Sequence, residues 1–153
     1  MRLPDWKVLL VVVVVSAVVL TVVGPEHANL QMAADADAFR AHLAHPGREL
    51  ASALLDFVFA ASYGLLGIVG YRMTTFRPIA KRMGIALVAI AALCDEVENV
   101  FLVRNITERR TLTDAWVDAM KVPGTLKWIG SPALLVLMLW AVGRAVRRAR
   151  AVR

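Results

Sequence analysis

Four long apolar runs, separated by short polar segments, constrain this chain more than any other feature of its sequence. They extend over about 8–23, 51–71, 84–103 and 126–142. Each is close to the ~20 residues that an α-helix needs to cross a hydrocarbon core ~30 Å thick. A soluble domain interleaves charged and apolar residues on every surface helix, whereas most charges here lie between the runs. The pattern predicts an all-α fold, an integral membrane four-helix bundle.

The first run, nearly pure Val and Leu, has a second interpretation as a cleaved signal peptide with Arg2 and Lys7 as its charged n-region. Its apolar stretch exceeds the usual h-region and no A-x-A site follows it, which favours a retained span. In both interpretations the second span enters the membrane from the outside. We therefore expect one membrane domain over 1–153, with the same topology from the second span onwards.

The basic residues are distributed unequally between the two sides of the predicted bundle. One side has Asp5 as its only acid and carries these basic residues: Arg2, Lys7, Arg72, Arg77, Lys81, Arg82, Arg144, Arg147, Arg148, Arg150 and Arg153. Cytoplasmic segments carry an excess of Lys and Arg, so both termini are predicted to be cytoplasmic, in a cell inner (plasma) membrane. The net charge of +6 then reflects topology and attraction to the anionic headgroups of the lipid bilayer. No nucleic-acid partner is expected.

Both predicted outer segments contain an amphipathic stretch. In the first, over about 30–44, Asn29 is a candidate N-cap and one stripe holds Met32, Ala36, Phe39 and Leu43. Pro46-Gly47 is predicted to end this helix, which should lie on the outer surface of the bundle with its apolar face down. In the second outer segment, Thr113 is a candidate N-cap of a short helix that Pro123-Gly124 should end.

The third run is unusual because the sequence C-D-E-V-E-N, beginning at Cys94, lies inside it. Each charge exposed at mid-bilayer costs at least ~2.5 kcal/mol. At ~100° per residue, Asp95, Glu98 and Asn99 fall on one face of a helix, together with small residues. The opposite face is apolar and suited to lipid, so the acids are predicted to face the interior of the bundle.

The second and fourth spans carry polar groups at a similar depth. Asp56 and Tyr63 share a face of the second span with glycines that allow close helix approach, and Lys127 lies near the outer end of the fourth. We predict an outward-facing polar pocket between three helices. Its candidate ligand-binding residues are Asp56, Tyr63, Asp95, Glu98, Asn99 and Lys127.

Three segments carry a resemblance to a known family. They are LLDFVFAASYG at 54–64, CDEVENVFLVRN at 94–105 and LKWIGSPALL at 126–135. With them the chain resembles a family of small bacterial four-span membrane proteins marked by L-D-F-x-F…Y, an intramembrane D-x-x-E-N and a Lys opening the last span. The resemblance extends over about 29–139, and Glu96 lies outside its motif. That family has no assigned activity, so the resemblance implies a fold and a site but no function.

A structural role competes with a functional one for these polar groups. In the structural interpretation, Asp56 or Glu98 pairs with Lys127 and Asn99 bonds a neighbouring helix. Interhelical hydrogen bonds in membranes average only ~0.6 kcal/mol, and a buried ion pair often fails to repay its desolvation. Several acids facing one lysine are therefore a poor stabilising device, which favours a functional site.

Metal and cofactor chemistry is not indicated by the sequence. A single Cys94 excludes an all-cysteine metal site, and the three histidines match no metal-ligand spacing. Even on one helix, His42 and Asp35 would lie about 10 Å apart along the axis, too far to hold one ion. No Gly-rich phosphate loop, Ser-His-Asp set or H-E-x-x-H is present. We expect no metal and no cofactor.

Three functions fit this pattern. The first, which we favour, is binding or moving a proton, a cation or a small amphipathic ligand, with a homo-oligomer or a membrane-protein partner because four spans alone make a thin transporter. The second is a membrane-embedded enzyme acting on a lipid or isoprenoid, with Glu98 or Asp95 as general acid or base and Tyr63 and Asn99 orienting the substrate. The third is an accessory or assembly subunit of a larger membrane complex. The sequence does not decide whether catalysis occurs.

Overall fold

The computed structural model describes residues 6–23 and 27–151, and this part of the chain is helical, without a strand. The predicted all-α class is confirmed. The predicted topology residues Arg2 and Arg153 lie outside the described residues. The elements are α1 (Trp6–Val23), α2 (His27–Gln31), α3 (Ala36–His42), α4 (Pro46–Met73), α5 (Pro78–Thr107), α6 (Asp114–Leu126), a 3₁₀ helix (Lys127–Gly130) and α7 (Ser131–Ala151).

Two helical segments of the described chain are long and apolar enough to cross a membrane. They are Pro46–Met73 and Asp114–Ala141, each of 28 residues, and their most apolar 18-residue stretches have mean hydropathies of 1.8 and 1.4. The second joins α6, the 3₁₀ helix and the first half of α7. Helix α1 contains a shorter apolar stretch, Leu10–Leu20. Helix α5 has the required length, but its apolar stretch contains three acids.

Helices α4 and α5 form the centre of the bundle and run antiparallel. A Cβ added at Gly64 would lie 2.7 Å from Ala92 Cβ, so the backbones approach too closely for a larger residue. Further along, Gly84 of α5 packs against the ring of Tyr71, whose hydroxyl donates to the carbonyl oxygen of Ala133 in α7 at 2.6 Å. Helix α1 packs against α4, and the 3₁₀ helix packs against α5.

The first of the two predicted outer segments has a different structure from the predicted one. The stretch 30–44 forms two short helices, α2 and α3, instead of one. Asp35 has an extended backbone and its Oδ1 accepts a hydrogen bond from Ala38 N at 2.7 Å, so it caps α3 and interrupts the helical path. Asn29, the predicted N-cap, lies inside α2, and Met32 of the predicted apolar stripe is exposed.

The short helices α2 and α3 pack with α6 over one end of the bundle, and we call these three helices the helical cap. The cap and the adjoining ends of α4 and α5 share a hydrophobic core that consists of Leu30, Ala33, Ala36, Phe39, Leu43, Ala53, Leu102, Ile106, Leu112, Val117 and Met120. Asp114 Oδ1 accepts from Ala36 N at 2.9 Å, and Lys121 Nζ donates to the carbonyl oxygen of Ala34 at 2.7 Å. These contacts join α6 to the segment of α2 and α3 and close that end of the bundle.

Prolines begin helices here more often than they end them. Pro46 and Pro78 are first residues of α4 and α5, where the missing N–H has no intrahelical partner in any case. Pro123, predicted to end its helix, lies inside α6, which continues to Leu126. Its side chain is buried, and packing of this face of α6 outweighs the lost backbone hydrogen bond. The 3₁₀ helix then leads into α7, where Pro132 lies in the first turn.

Candidate functional site

Helix α5 presents two neighbouring stripes to its partners. One stripe faces α4 and contains Ala92. Asn99 lies two helical turns after Ala92 and is therefore on the same stripe. The other faces the 3₁₀ helix, where Ala91 packs against Gly130, and it continues two turns later to Glu98. Asp95, Glu98 and Asn99 are all buried, as predicted, whereas the opposite face of α5 is exposed and apolar at Ile90, Leu93, Val97 and Val100.

Two of the three acids of α5, Asp95 and Glu98, share one lysine. Lys127 Nζ lies 2.9 Å from Asp95 Oδ1 and 2.6 Å from Glu98 Oε2. The acids are three residues apart on α5, nearly one helical turn, so one ammonium group reaches both. The 3₁₀ helix positions this lysine. It packs closely on α5 at Gly130, and Lys127, its first residue, therefore lies against the acid-bearing face of α5.

Tyr63 of α4 completes the set from the other side. Its hydroxyl donates to Asp95 Oδ2 at 3.1 Å, and its ring is in edge contact with Phe59 at a centroid distance of 5.4 Å. Asp95 therefore accepts from Lys127 through one oxygen and from Tyr63 through the other. We call these four residues the ion cluster: Tyr63, Asp95, Glu98 and Lys127.

A glycine that the sequence pattern did not single out for the site also shapes it. A Cβ added at Gly124 of α6 would lie 2.7 Å from Glu98 Oε1. The absence of a side chain at this position allows α6 to close over Glu98. The sequence indicated Gly124 only as a helix terminator, and only the fold of α6 against α5 reveals the close approach.

Asn99 and Asp56 lie nearer the cap than the ion cluster. Because α4 and α5 are antiparallel with Gly64 opposite Ala92, Asp56 lies about two turns from Gly64 at the level of Asn99. Asn99 is fully buried, and neither its Nδ2 nor its Oδ1 has a hydrogen-bond partner among the described residues. The predicted interhelical bond of Asn99 is therefore not formed within that part of the chain. We call Asp56 and Asn99 the amide layer.

A cavity of about 430 Å³ adjoins the ion cluster. Tyr63, Asp95 and Lys127 contribute its polar groups. The rest of its wall comes from α1, α4, α5, the 3₁₀ helix and α7, through Val13, Phe59, Leu66, Gly67, Ala91, Trp128, Leu134, Leu137 and Met138. Trp128 and Met138 are 67% and 66% exposed, so the cavity opens on the side of the bundle.

This cavity opens at the side of the helices, and the outward-facing pocket, which depends on the orientation in the membrane, stays a prediction. Glu98 and Asn99 lie at the capped end, where they are buried and do not line the cavity. The helical cap closes that end, since Gly124 of α6 packs directly on Glu98. The cavity instead extends from Asp95 along Gly67 towards Leu137, away from the cap.

All six predicted site residues are buried or half-buried, but they divide into two groups. Four form the ion cluster, and Asp56 and Asn99 form the adjoining amide layer. Glu96, outside the family motif, has no ion pair within the cluster and is half-buried. Within residues 6–23 and 27–151, no group of three or more His, Cys, Asp or Glu could hold a metal ion.

The chain was compared with protein families, curated proteins and solved structures, and none of them provides a function for the site. No protein-family model, no curated protein and no solved structure matches this chain.

Proposed function

We propose that this chain is a four-span protein of a bacterial inner membrane that binds a small amphipathic, lipid-like ligand in its lateral cavity. The four spans are α1, α4, α5 and the 3₁₀ helix continued by α7, with both termini in the cytoplasm. Pro46–Met73 and Asp114–Ala141 support this placement by length and hydropathy. Helix α5 runs antiparallel to α4, and α1 packs along α4, so a bilayer around α4 would also surround both neighbours.

Exposed apolar surface supports a membrane environment. Only 39% and 18% of the most apolar stretches of the two candidate spans are buried within the protein. The core helix of a soluble protein would bury most of such a stretch. On α5 the exposed apolar residues lie opposite the acids, as lipid-facing residues of a membrane bundle do.

The observation that carries the proposed function is the composition of the cavity wall. Tyr63, Asp95 and Lys127 provide polar groups at one part of the cavity, and the remaining lining is apolar. Small-molecule sites combine an apolar wall with a few convergent polar groups in this way, in volumes of about 300–1,000 Å³. An aliphatic chain would lie along Leu66 and Leu137, with its polar end at the ion cluster.

The same geometry favours an amphipathic ligand over a proton or a free cation. Both acids of the cluster already have an ammonium partner, because Lys127 Nζ lies within 3 Å of each. A metal or organic cation would have to displace this lysine. An amphipathic ligand can bind beside Lys127 without breaking either ion pair.

Photolabelling tests the proposed cavity. The probe is a long-chain alcohol with a diazirine in its chain, added to the purified protein in lipid nanodiscs. Met138→Trp fills the cavity, whereas Leu139→Trp, at a neighbouring residue that is 64% exposed and outside the cavity lining, is the matched control. We expect labelled peptides from α4 and α7, with a several-fold loss of labelling in Met138→Trp alone. Equal labelling of both variants, spread over all exposed apolar helix faces, would contradict the proposal.

Cysteine accessibility tests the topology. In a Cys94→Ser background, a single cysteine is placed at Thr111 between α5 and α6 or at Thr75 between α4 and α5, both exposed positions. A membrane-impermeant maleimide should label Thr111→Cys on intact cells and Thr75→Cys only after lysis. The reverse pattern would show that the orientation is wrong, and labelling of both on intact cells would contradict a membrane span at α5.

A second candidate is a membrane-embedded acid–base enzyme acting on a lipid or isoprenoid. The hydrogen bond from Tyr63 to Asp95 favours it, because both groups line the cavity where a ligand would meet them. Mass spectrometry of membrane lipids incubated with the protein tests this candidate. A product that forms with the unaltered protein but not with Asp95→Asn would support it. Identical lipid profiles with the unaltered protein and with Asp95→Asn would contradict catalysis and support ligand binding without a reaction.

A further inference from the structure

We infer that the polar end of the ligand is an uncharged group that accepts a hydrogen bond, such as an alcohol, an ester or a ketone. This inference rests on the proposed ligand cavity and specifies the chemical class of its ligand. It follows from the donors and acceptors that the ion cluster leaves available, and from the charges around them.

Lys127 has one hydrogen-bond donor more than the cluster uses. An ammonium group carries three N–H donors and no acceptor. One is donated to Asp95 Oδ1 at 2.9 Å and a second can face Glu98 Oε2, 2.6 Å from the nitrogen, while the side chain, 20% exposed, lines the cavity. The third N–H is therefore the group with which the cluster can bind a ligand oxygen.

Tyr63 offers the complementary group. Its O–H is donated to Asp95 Oδ2, so the lone pairs of the phenolic oxygen are what it can present to the cavity. The site thus combines one donor, on Lys127, with one acceptor, on Tyr63. A ligand hydroxyl can bind to both groups, whereas an ester or ketone oxygen can bind only to Lys127.

The charges of the cluster disfavour an anionic headgroup, and the position of Lys127 disfavours a cationic one. A carboxylate headgroup would approach Asp95 and Glu98, and like charges repel strongly in a low-dielectric site. A quaternary ammonium headgroup would meet Lys127, which lies between the cavity and Glu98 and already occupies the position a cation would take. A neutral polar group avoids both costs and keeps the two ion pairs intact.

Competition between ligands of equal chain length tests the headgroup. The photoreactive alcohol labels the protein in nanodiscs at neutral pH, and four unreactive competitors are added: an alcohol, its methyl ester, a carboxylic acid and a trimethylammonium salt. We expect the alcohol and the ester to reduce labelling at concentrations about tenfold lower than the two ionic compounds, a difference of about 1.4 kcal/mol. Stronger competition by the acid or the ammonium salt would overturn the inference while leaving the ligand cavity in place.

A second comparison separates the two hydrogen-bonding groups. Tyr63→Phe removes the phenolic oxygen, so affinity for the alcohol should fall several-fold more than affinity for the ester. Tyr71→Phe is the matched control, because it removes a hydroxyl that bonds Ala133 outside the cavity lining. Equal loss of both ligands in Tyr63→Phe would overturn the assignment of Tyr63 as an acceptor. If no competitor reduces labelling and Met138→Trp labels normally, the proposed cavity itself fails.

Discussion

The ion cluster and the amide layer adjoin on α5, where Glu98 and Asn99 are consecutive residues, yet the polar groups of the two differ in their partners. In the ion cluster, Asp95 accepts from Lys127 and Tyr63, and Glu98 lies 2.6 Å from the same lysine. In the amide layer, Asn99 is equally buried but has no hydrogen-bond partner among the described residues. The comparison indicates that the acids are tolerated because one cation compensates them, whereas the amide remains a cost to stability.

The largest expected effect is the removal of that cation. Lys127→Met leaves Asp95 and Glu98 buried without their ammonium partner, and breaking a buried pair in this way costs about 3–5 kcal/mol. The free energy of unfolding, measured by titrating detergent-solubilised protein with SDS, should fall by this amount. Lys121→Met is the matched control, because this lysine pairs with the exposed Asp118 and donates one hydrogen bond to the carbonyl oxygen of Ala34, and their loss should cost less, about 1–2 kcal/mol. Equal losses in both variants would contradict a buried, compensated cluster.

A smaller loss is expected from crowding the same cluster. Gly124→Ala places a methyl group 2.7 Å from Glu98 Oε1, so α6 or Glu98 must shift and the contact with Lys127 weakens. Overpacking of this kind costs about 1–3 kcal/mol. Gly47→Ala is the control, since nothing lies within 4 Å of its added Cβ. In the SDS titration the Gly47 variant should be as stable as the unaltered protein or slightly more so. Unchanged stability of Gly124→Ala would show that α6 does not close over Glu98.

The amide layer should respond in the opposite direction. Asn99→Leu replaces an orphaned amide by an apolar side chain of similar size, which relieves the cost of an unpaired buried group. The SDS titration should show stability that is unchanged or up to about 1 kcal/mol higher. A loss as large as that of Lys127→Met would show that the amide has a partner and that the two layers are alike.

Helical periodicity alone predicted much of the site. One face of α5 carries polar side chains and the opposite face carries apolar ones. A helix of this kind in a membrane can turn only its polar face towards the other helices; that face holds Asp95, Glu98 and Asn99, opposite Leu93 and Val97. The structure buries that face and exposes the other. The structural interpretation of the polar groups paired Lys127 with either Asp56 or Glu98, and the structure shows the contact with Glu98. The second contact of Lys127, with Asp95, required the actual position of the 3₁₀ helix.

The features that the sequence did not predict depend on competition between local and tertiary interactions. Asp35 captures a backbone N–H and interrupts a periodic stretch, and Pro123 stays helical because its face of α6 is buried. The direction in which the cavity opens depends on how Val13 of α1 and Met138 of α7 pack around α4 and α5. No local pattern encodes that arrangement, so the sequence alone did not predict that this cavity opens at the side.

The most direct test of the proposed function is to identify the lipid that remains bound when the protein is purified gently from its membrane. Native mass spectrometry of the unaltered protein, Met138→Trp and Leu139→Trp would measure it. The proposal predicts a neutral lipid bound in a fixed ratio to the unaltered protein and to Leu139→Trp, and absent from Met138→Trp. The same mixture of bulk membrane lipids on all three proteins would contradict a specific ligand cavity at the ion cluster.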